Sequence, residues 1–239
     1  MPSETGRLAG RIAVITGASR GIGAAVAKRF AAEGAQLILI ARTVGGLEEL
    51  DDAIRAEGGL QPVLVPHDLR DAEGLDRLGA SLNERYGKLD ILIGNAGILG
   101  PLTPVAHIPP AVWQEVMEVN VTANYRLIRS LDPLLRLSDA GRAVFVTSGK
   151  ASSGLAYWGP YAVSKAALEA LVRSYAAEVT KTNIRVNLLS PGAIRTGMRA
   201  AAFPGEDPES LRPPEALCDH FLELASPTCQ RNGEVVAAE

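Results

Sequence analysis

The sequence predicts an α/β fold: a single domain built on a doubly wound parallel sheet of about seven strands, Rossmann-like, with helices on both faces. Three observations lead there. Short, unbroken Val/Ile/Leu runs recur along the chain. Longer stretches with helical periodicity alternate with them. A glycine-rich turn joins the first apolar run to the first helical stretch.

Taken in order, residues 12–16 (I-A-V-I-T) make the first strand, and the turn T-G-A-S-R-G-I-G at 16–23 leads into a helix over 22–33. A strand at 36–40 and a helix at 44–57 follow, then a strand at 62–65 and a helix at 71–86. The fourth strand is 89–93, followed by one long helix over 110–136. Strands at 143–147 and 184–189 flank a helix at 160–181, and a helix at 213–225 precedes the last strand at 234–237. Gly34, Gly58-Gly59, Gly87 and Gly141 stand where helix C-caps are expected. Most of the strands are continuously apolar, as a parallel sheet covered on both faces requires. No linker, low-complexity segment or fixed repeat divides the chain, so residues 1–239 read as one dinucleotide-binding domain. Residues 98–109 and 191–214 break the alternation. Ligands bind beyond the carboxyl ends of strands in such sheets, so 191–214 reads as a substrate-binding loop or lid.

Composition narrows the function. The chain has 239 residues, 47% hydrophobic and 21% charged, with a formal net charge of −3. That balance gives no electrostatic footprint for nucleic acid. No stretch approaches the about 18 apolar residues of a membrane span. The first residues lack the apolar core of a signal peptide, which points to the cytoplasm. Two cysteines, Cys218 and Cys229, make no disulfide framework and match no zinc spacing, so no metal is expected.

The chemistry gathers in three places. At the turn, Gly17, Gly21 and Gly23 allow close backbone approach, and the following helix offers its N-terminus to a phosphate. The second strand ends in Ala41-Arg42, with no acid between Glu33 and Glu48. An acid there would hold a ribose 2′-hydroxyl; Arg20 and Arg42 instead suit a 2′-phosphate, which predicts NADP(H) over NAD(H). Finally, G-P-Y-A-V-S-K at 159–165 sets Tyr161 and Lys165 one helical turn apart on one face. A cation beside a phenol lowers its pKa, which would give a proton donor and acceptor near neutral pH.

These motifs, in this order, resemble the short-chain dehydrogenase/reductase family of the classical type over nearly the whole chain. Beside T-G-A-S-R-G-I-G, whose Ser19 and Ile22 also meet the cofactor in the family, the matches are Asp68-Leu69, G-N-A-G at 94–97 (Asn95, Ala96 and Gly97), Asn120 in E-V-N-V, Ser148, Tyr161, Lys165 and P-G-A-I-R-T at 191–196. A bacterial branch with no firmly assigned substrate is also similar, through A-F-P-G-E-D-P and M-R-A. The resemblance implies that Asp68 and Leu69 contact adenine, and that Pro191, Gly192, Ile194 and Thr196 close over the nicotinamide. It implies Tyr161 as general acid and base, Lys165 as its pKa modifier and ribose ligand, Ser148 as a hydrogen-bond partner of the substrate oxygen, and Asn120 as holder of a relay water. The expected activity is hydride transfer between NADP(H) and a ketone, aldehyde or alcohol; the alternative is a non-catalytic NADP(H) sensor on the same fold.

Apolar walls are expected from Leu99, Leu102, Leu155, Tyr157, Trp158, Met198 and Phe203, with Trp158 and Met198 touching substrate. Arg195 and Arg199 read as lid-surface charges, the alternative being contact with an anionic substrate group, and Lys150 is either a cation near the substrate entrance or a solvated one. Small residues Ala162, Ala166, Ala167 and Ala170 would let two long helices pair across a two-fold axis, giving a homodimer or homotetramer. The chain ends soon after N-G-E-V-V-A-A-E, where many members continue into subunit contacts, which leaves both states open.

Overall fold

The computed structural model describes residues 6–238. In chain order its elements are β1 (Ile12–Thr16), α1 (Gly21–Ala32), β2 (Gln36–Ala41), α2 (Val44–Ala56), β3 (Val63–Pro66), α3 (Ala72–Tyr86), β4 (Ile91–Gly94), α4 (Pro110–Met117), α5 (Ala123–Arg136), β5 (Arg142–Val146), α6 (Gly159–Glu178), β6 (Arg185–Ser190), α7 (Gly197–Ala202), α8 (Cys218–Ala225) and β7 (Val235–Ala237). The strands form one parallel seven-stranded sheet in the order β3-β2-β1-β4-β5-β6-β7.

Each face of the sheet has its own core. Ala13 and Ile15 of β1 point to one side with Leu37 and Leu39 of β2; Val14, Ile38 and Ile40 point to the other. Phe30 of α1, Leu50 of α2 and Phe221 of α8 cover the first face. Leu75 of α3, Leu131 of α5 and Leu168 of α6 cover the second. Both sides of every central strand must be apolar, which explains the unbroken runs. Each such buried side chain contributes about 1.5–3 kcal/mol.

At the amino ends of the strands lies a buried polar knot. The fully buried Asp90 carboxylate accepts hydrogen bonds from the Ile12 N–H (3.0 Å), the Ser138 hydroxyl (2.5 Å) and Lys88 Nζ (3.1 Å). Arg11 donates to the carbonyls of Asp90 and Ala140. Burial pushes the Asp90 pKa up, but these hydrogen bonds and the Arg11 charge outweigh it, leaving the group below its ordinary value. Arg142, at the start of β5, donates to the carbonyls of Ser226, Pro227 and Asn183, which ties the end of α8 to the sheet.

The strands fall within two residues of their predicted bounds. Gly34, Gly58 and Gly87 take positive φ at the ends of α1, α2 and α3, as expected. Gly141 does not cap a helix: α5 stops at Arg136, and Gly141 directly precedes β5, where a Cβ would come 2.7 Å from the Leu135 carbonyl oxygen. The single helix expected over 110–136 is interrupted by a π turn at Glu118–Thr122. The Asn124 side-chain amide of α5 donates to the carbonyl of Asn120 in that turn (2.9 Å). Residues 191–214 contain the short helix α7, and 213–225 begins as a 3₁₀ turn at Pro214–Leu217 before α8.

Candidate active site

The strand order reverses between β1 and β4, so successive helices leave to opposite sides and a crevice opens at the carboxyl ends. A cleft of about 840 Å³ lies there. Its back wall is the junction of two turns. The Thr16 hydroxyl accepts from the Asn95 and Ala96 N–H groups (3.0 and 3.1 Å) and donates to the Ile93 carbonyl (3.2 Å). Asn95 Nδ2 donates to the carbonyls of Thr16 (2.9 Å) and Gly17 (3.2 Å). Thus G-N-A-G after β4 braces the glycine turn after β1. Gly17 sits at φ 64°, and a Cβ on it would lie 2.9 Å from Ala96 Cα, so only glycine fits.

The cleft wall includes Gly17, Ser19, Arg20, Gly21 and Ile22 after β1, Arg42 after β2, and Asp68 and Leu69 after β3. Asn95, Ala96 and Gly97 follow β4, and Ser148 follows β5. Trp158, Tyr161 and Lys165 come from the start of α6; Pro191, Gly192, Ile194, Thr196 and Met198 follow β6. Two of the predicted catalytic and cofactor residues do not line it. Gly23 is packed behind the turn, where a Cβ would clash with the Gly17 carbonyl. Asn120 is fully buried behind Gly97. Its side chain accepts from the Ile98 N–H (2.8 Å) and donates to the Ile98 carbonyl and to Ser164 Oγ (2.9 Å each). Asn120 therefore fastens the loop after β4 to α6. Leu99 and Phe203 line the cleft as expected, but Leu102, Leu155 and Tyr157 are exposed outside it. Thr43, His67, Val119 and Thr147 line it and were not predicted. Each of the four sits next to a predicted residue: Arg42, Asp68, Asn120 and Ser148.

The reactive groups sit in a dry corner. Lys165 is buried, and its Nζ donates to the Val146 carbonyl at 2.7 Å. Burial pulls its pKa down to about 8. Its Nζ stands 5.7 Å from the centre of the Tyr161 ring. Tyr161 does not have the lowered pKa expected from that cation. Burial pushes it up, and the neighbouring Ser148 hydroxyl only partly opposes the shift. The Ser148 oxygen also accepts from the Lys150 N–H (3.2 Å), which fixes its position at the end of β5. At the other end of the cleft, hydrogen bonds from Arg70 hold Asp68 down at about 2, with Arg42 contributing through its charge.

The far wall is aromatic and cationic. Trp158 meets Tyr161 edge-on at 6.0 Å and Phe203 at 5.8 Å. Arg199 lies 3.8 Å over the Phe203 ring and pairs with Glu206 through both carboxylate oxygens (2.6 and 2.5 Å). Arg195 pairs with Glu209 at 2.6 Å. Arg195 and Arg199 are thus neutralised locally. Thr196 caps α7 by accepting from the Arg199 N–H (3.2 Å), and its methyl faces Gly21.

A Rossmann-type sheet with a glycine turn at its reversal point, and a serine, tyrosine and lysine meeting at the same edge, defines a nicotinamide-type oxidoreductase architecture. The family model for short chain dehydrogenase matches residues 11–207, and the chain belongs to the short-chain dehydrogenase/reductase family of oxidoreductases. Among its relatives is the uncharacterized oxidoreductase YciK of Escherichia coli, 40% identical over 223 residues, covering 92% of this chain and 88% of that protein. A chain from Escherichia coli solved in complex with NADPH superposes with a TM-score of 0.94 at 39% identity, covering 98% of this chain and 99% of that one. A Shigella flexneri chain solved with NADP gives a TM-score of 0.94 at 38% identity, with 98% and 99% covered. Among the described residues no helix is long and apolar enough to cross a membrane. Cys218 and Cys229 are both free and buried.

Proposed function

We propose that the protein is an NADP(H)-dependent oxidoreductase interconverting a ketone or aldehyde and an alcohol, organised as one domain with 191–214 as its substrate lid. The observation that carries this reading is the convergence of Ser148, Tyr161 and Lys165 on the cleft. The residues present fit the cofactor. Arg20 and Arg42 are exposed on the cleft wall, where a 2′-phosphate would meet two guanidinium groups. The Lys165 ammonium has one carbonyl acceptor and further N–H groups for ribose hydroxyls. Solved relatives carrying NADPH and NADP support the same choice. Bound there, the cofactor supplies the hydride.

The chain's own residues supply the rest. Tyr161, with its pKa raised by burial, holds its proton at neutral pH and is a donor to a carbonyl oxygen gaining charge. Ser148 Oγ offers a second hydrogen bond to that oxygen. Lys165 holds a positive charge beside both. Asn120 acts as a positioning residue, locking the loop after β4 against α6. Self-association would use the α5 and α6 faces, where Tyr125 and Val163 are exposed and the small Ala166 and Ala170 permit close approach.

The deciding experiment titrates the purified protein with NADPH and NADH in parallel, by cofactor fluorescence. NADPH should bind at least about tenfold more tightly, as two charge-assisted contacts to a phosphate require. Equal or tighter NADH binding would refute the cofactor assignment. Absence of NADPH oxidation across a panel of ketones and aldehydes would refute the reductase assignment.

A further inference from the structure

The charges on the cleft wall do not balance. Its cations are Arg20, Arg42, Lys150, Lys165 and Arg199, and its one carboxylate, Asp68, is bound by Arg70. Under the reading above, Arg20, Arg42 and Lys165 face the cofactor. Arg199 is matched by Glu206. That leaves Lys150. Among the described residues no acid pairs with its ammonium; the recorded contact of Nζ is the Trp158 ring, 5.0 Å from its centre. The side chain is half-buried against the wall of the substrate end. Its backbone is fixed as well, because the Lys150 N–H is the donor that Ser148 Oγ accepts.

We propose that Lys150 is the specificity-determining anchor for a carboxylate on the substrate, so that this reductase acts on oxo acids and hydroxy acids in preference to neutral carbonyls. This deepens the function proposed above and rests on it. Trp158 touches both partners: its ring meets Tyr161 at 6.0 Å and Lys150 Nζ at 5.0 Å. The ammonium therefore lies no more than about 11 Å from the Tyr161 ring, a span that a short carbon chain bridges. Trp158, Met198 and Phe203 supply an apolar bed for that chain. A single ammonium carries one positive charge and matches the single negative charge of a carboxylate. Of the three arginines in 191–214, Arg199 and Arg195 are engaged by Glu206 and Glu209, and Arg212 donates to the carbonyls of Pro191 and Ala238.

The test has a binding arm and a turnover arm. In the binding arm, the NADP⁺ complex is titrated with hexanoate and with hexanamide, followed by tryptophan fluorescence. Wild type should prefer hexanoate by about tenfold, a preference that shrinks with added salt. Lys150→Met should abolish the preference, with the loss falling on the carboxylate alone; Lys150→Arg should restore most of it. Equal affinity of wild type for the two probes, no binding of either, or an unchanged preference in Lys150→Met would overturn the assignment. In the turnover arm, an oxo acid and its methyl ester are compared in kcat/KM with NADPH. An ester reduced as well as its acid also overturns the Lys150 proposal. Inertness of both, with the hexanoate preference intact, would instead sink the reductase reading and leave the anion site standing.

Discussion

Replacing Lys165 with methionine should stabilise the fold while removing the activity. Lys165 is buried, and burial alone draws its pKa from 10.5 to about 8. Each unit of depression corresponds to about 1.4 kcal/mol, so the charged form costs the fold about 3 kcal/mol at pH 7. Methionine fills a similar volume without a charge. It gives up the 2.7 Å bond to the Val146 carbonyl, which contributes about 1.5 kcal/mol as a charge-assisted hydrogen bond. The net gain is about 1.5 kcal/mol, or roughly 3–6 °C in Tm for a chain of this size. The sign follows from linkage. The folded pKa lies below the unfolded one, so between about pH 8 and 10.5 the unfolded state binds more protons. Wild-type stability therefore rises through that window, and the gap to Lys165→Met closes. Calorimetric unfolding of both proteins without cofactor, from pH 7 to pH 10, reads this directly. A Met variant melting at or below wild type at pH 7, or a gap that stays constant to pH 10, would refute the burial argument.

Tyr161→Phe should lower kcat by about 10²–10⁴ while NADPH affinity changes only a few fold, measured by steady-state assay and fluorescence titration; a variant that keeps its turnover would favour the sensor alternative. Arg42→Ala should weaken NADPH by about tenfold and leave NADH unmoved, because on the proposed reading the exposed guanidinium would meet only the extra phosphate; parallel titrations check it. Asp90→Asn should cost about 3 kcal/mol in urea unfolding at pH 7, by breaking the buried knot of Lys88, Ser138 and Arg11. The Asp90 pKa is lowered on folding, so its contribution is present above the unfolded carboxylate value and is lost as pH falls through the folded one. The difference between the proteins should therefore vanish in acid, while NADPH binding at pH 7 stays intact.

What could be read from the sequence was whatever local chemistry dictates. A strand with both faces covered must be apolar throughout, so the core strands showed as continuous runs. A turn that braces Ala96 against Gly17 must contain glycine, so the phosphate turn showed too. The illegible features depend on partners distant in the chain. Residues 110–136 have an uninterrupted helical pattern, yet the turn widens at Asn120, whose side chain is bound to Ile98, 22 residues earlier. Tyr157 adopts φ 72°, a conformation that nothing in its side chain favours; its carbonyl accepts from the Thr103 N–H (3.1 Å), and its ring points away from the cleft that its aromatic character seemed to promise. Glycine spacing suggested a cap at Gly141, but the helix had already ended.

The Tyr161 reading failed for a more instructive reason. From spacing alone, Lys165 is a charge near a phenol, and a nearby charge lowers a phenol's pKa. Folding changes both groups at once. It brings the ammonium within 5.7 Å of the ring, and it also removes both from water. Desolvation then acts in opposite directions on an acid and a base: it raises Tyr161 and lowers Lys165. The result is a neutral phenol beside a cation of reduced basicity. Spacing along the helix establishes that the two groups meet; the sense of each pKa shift is decided by the burial around them.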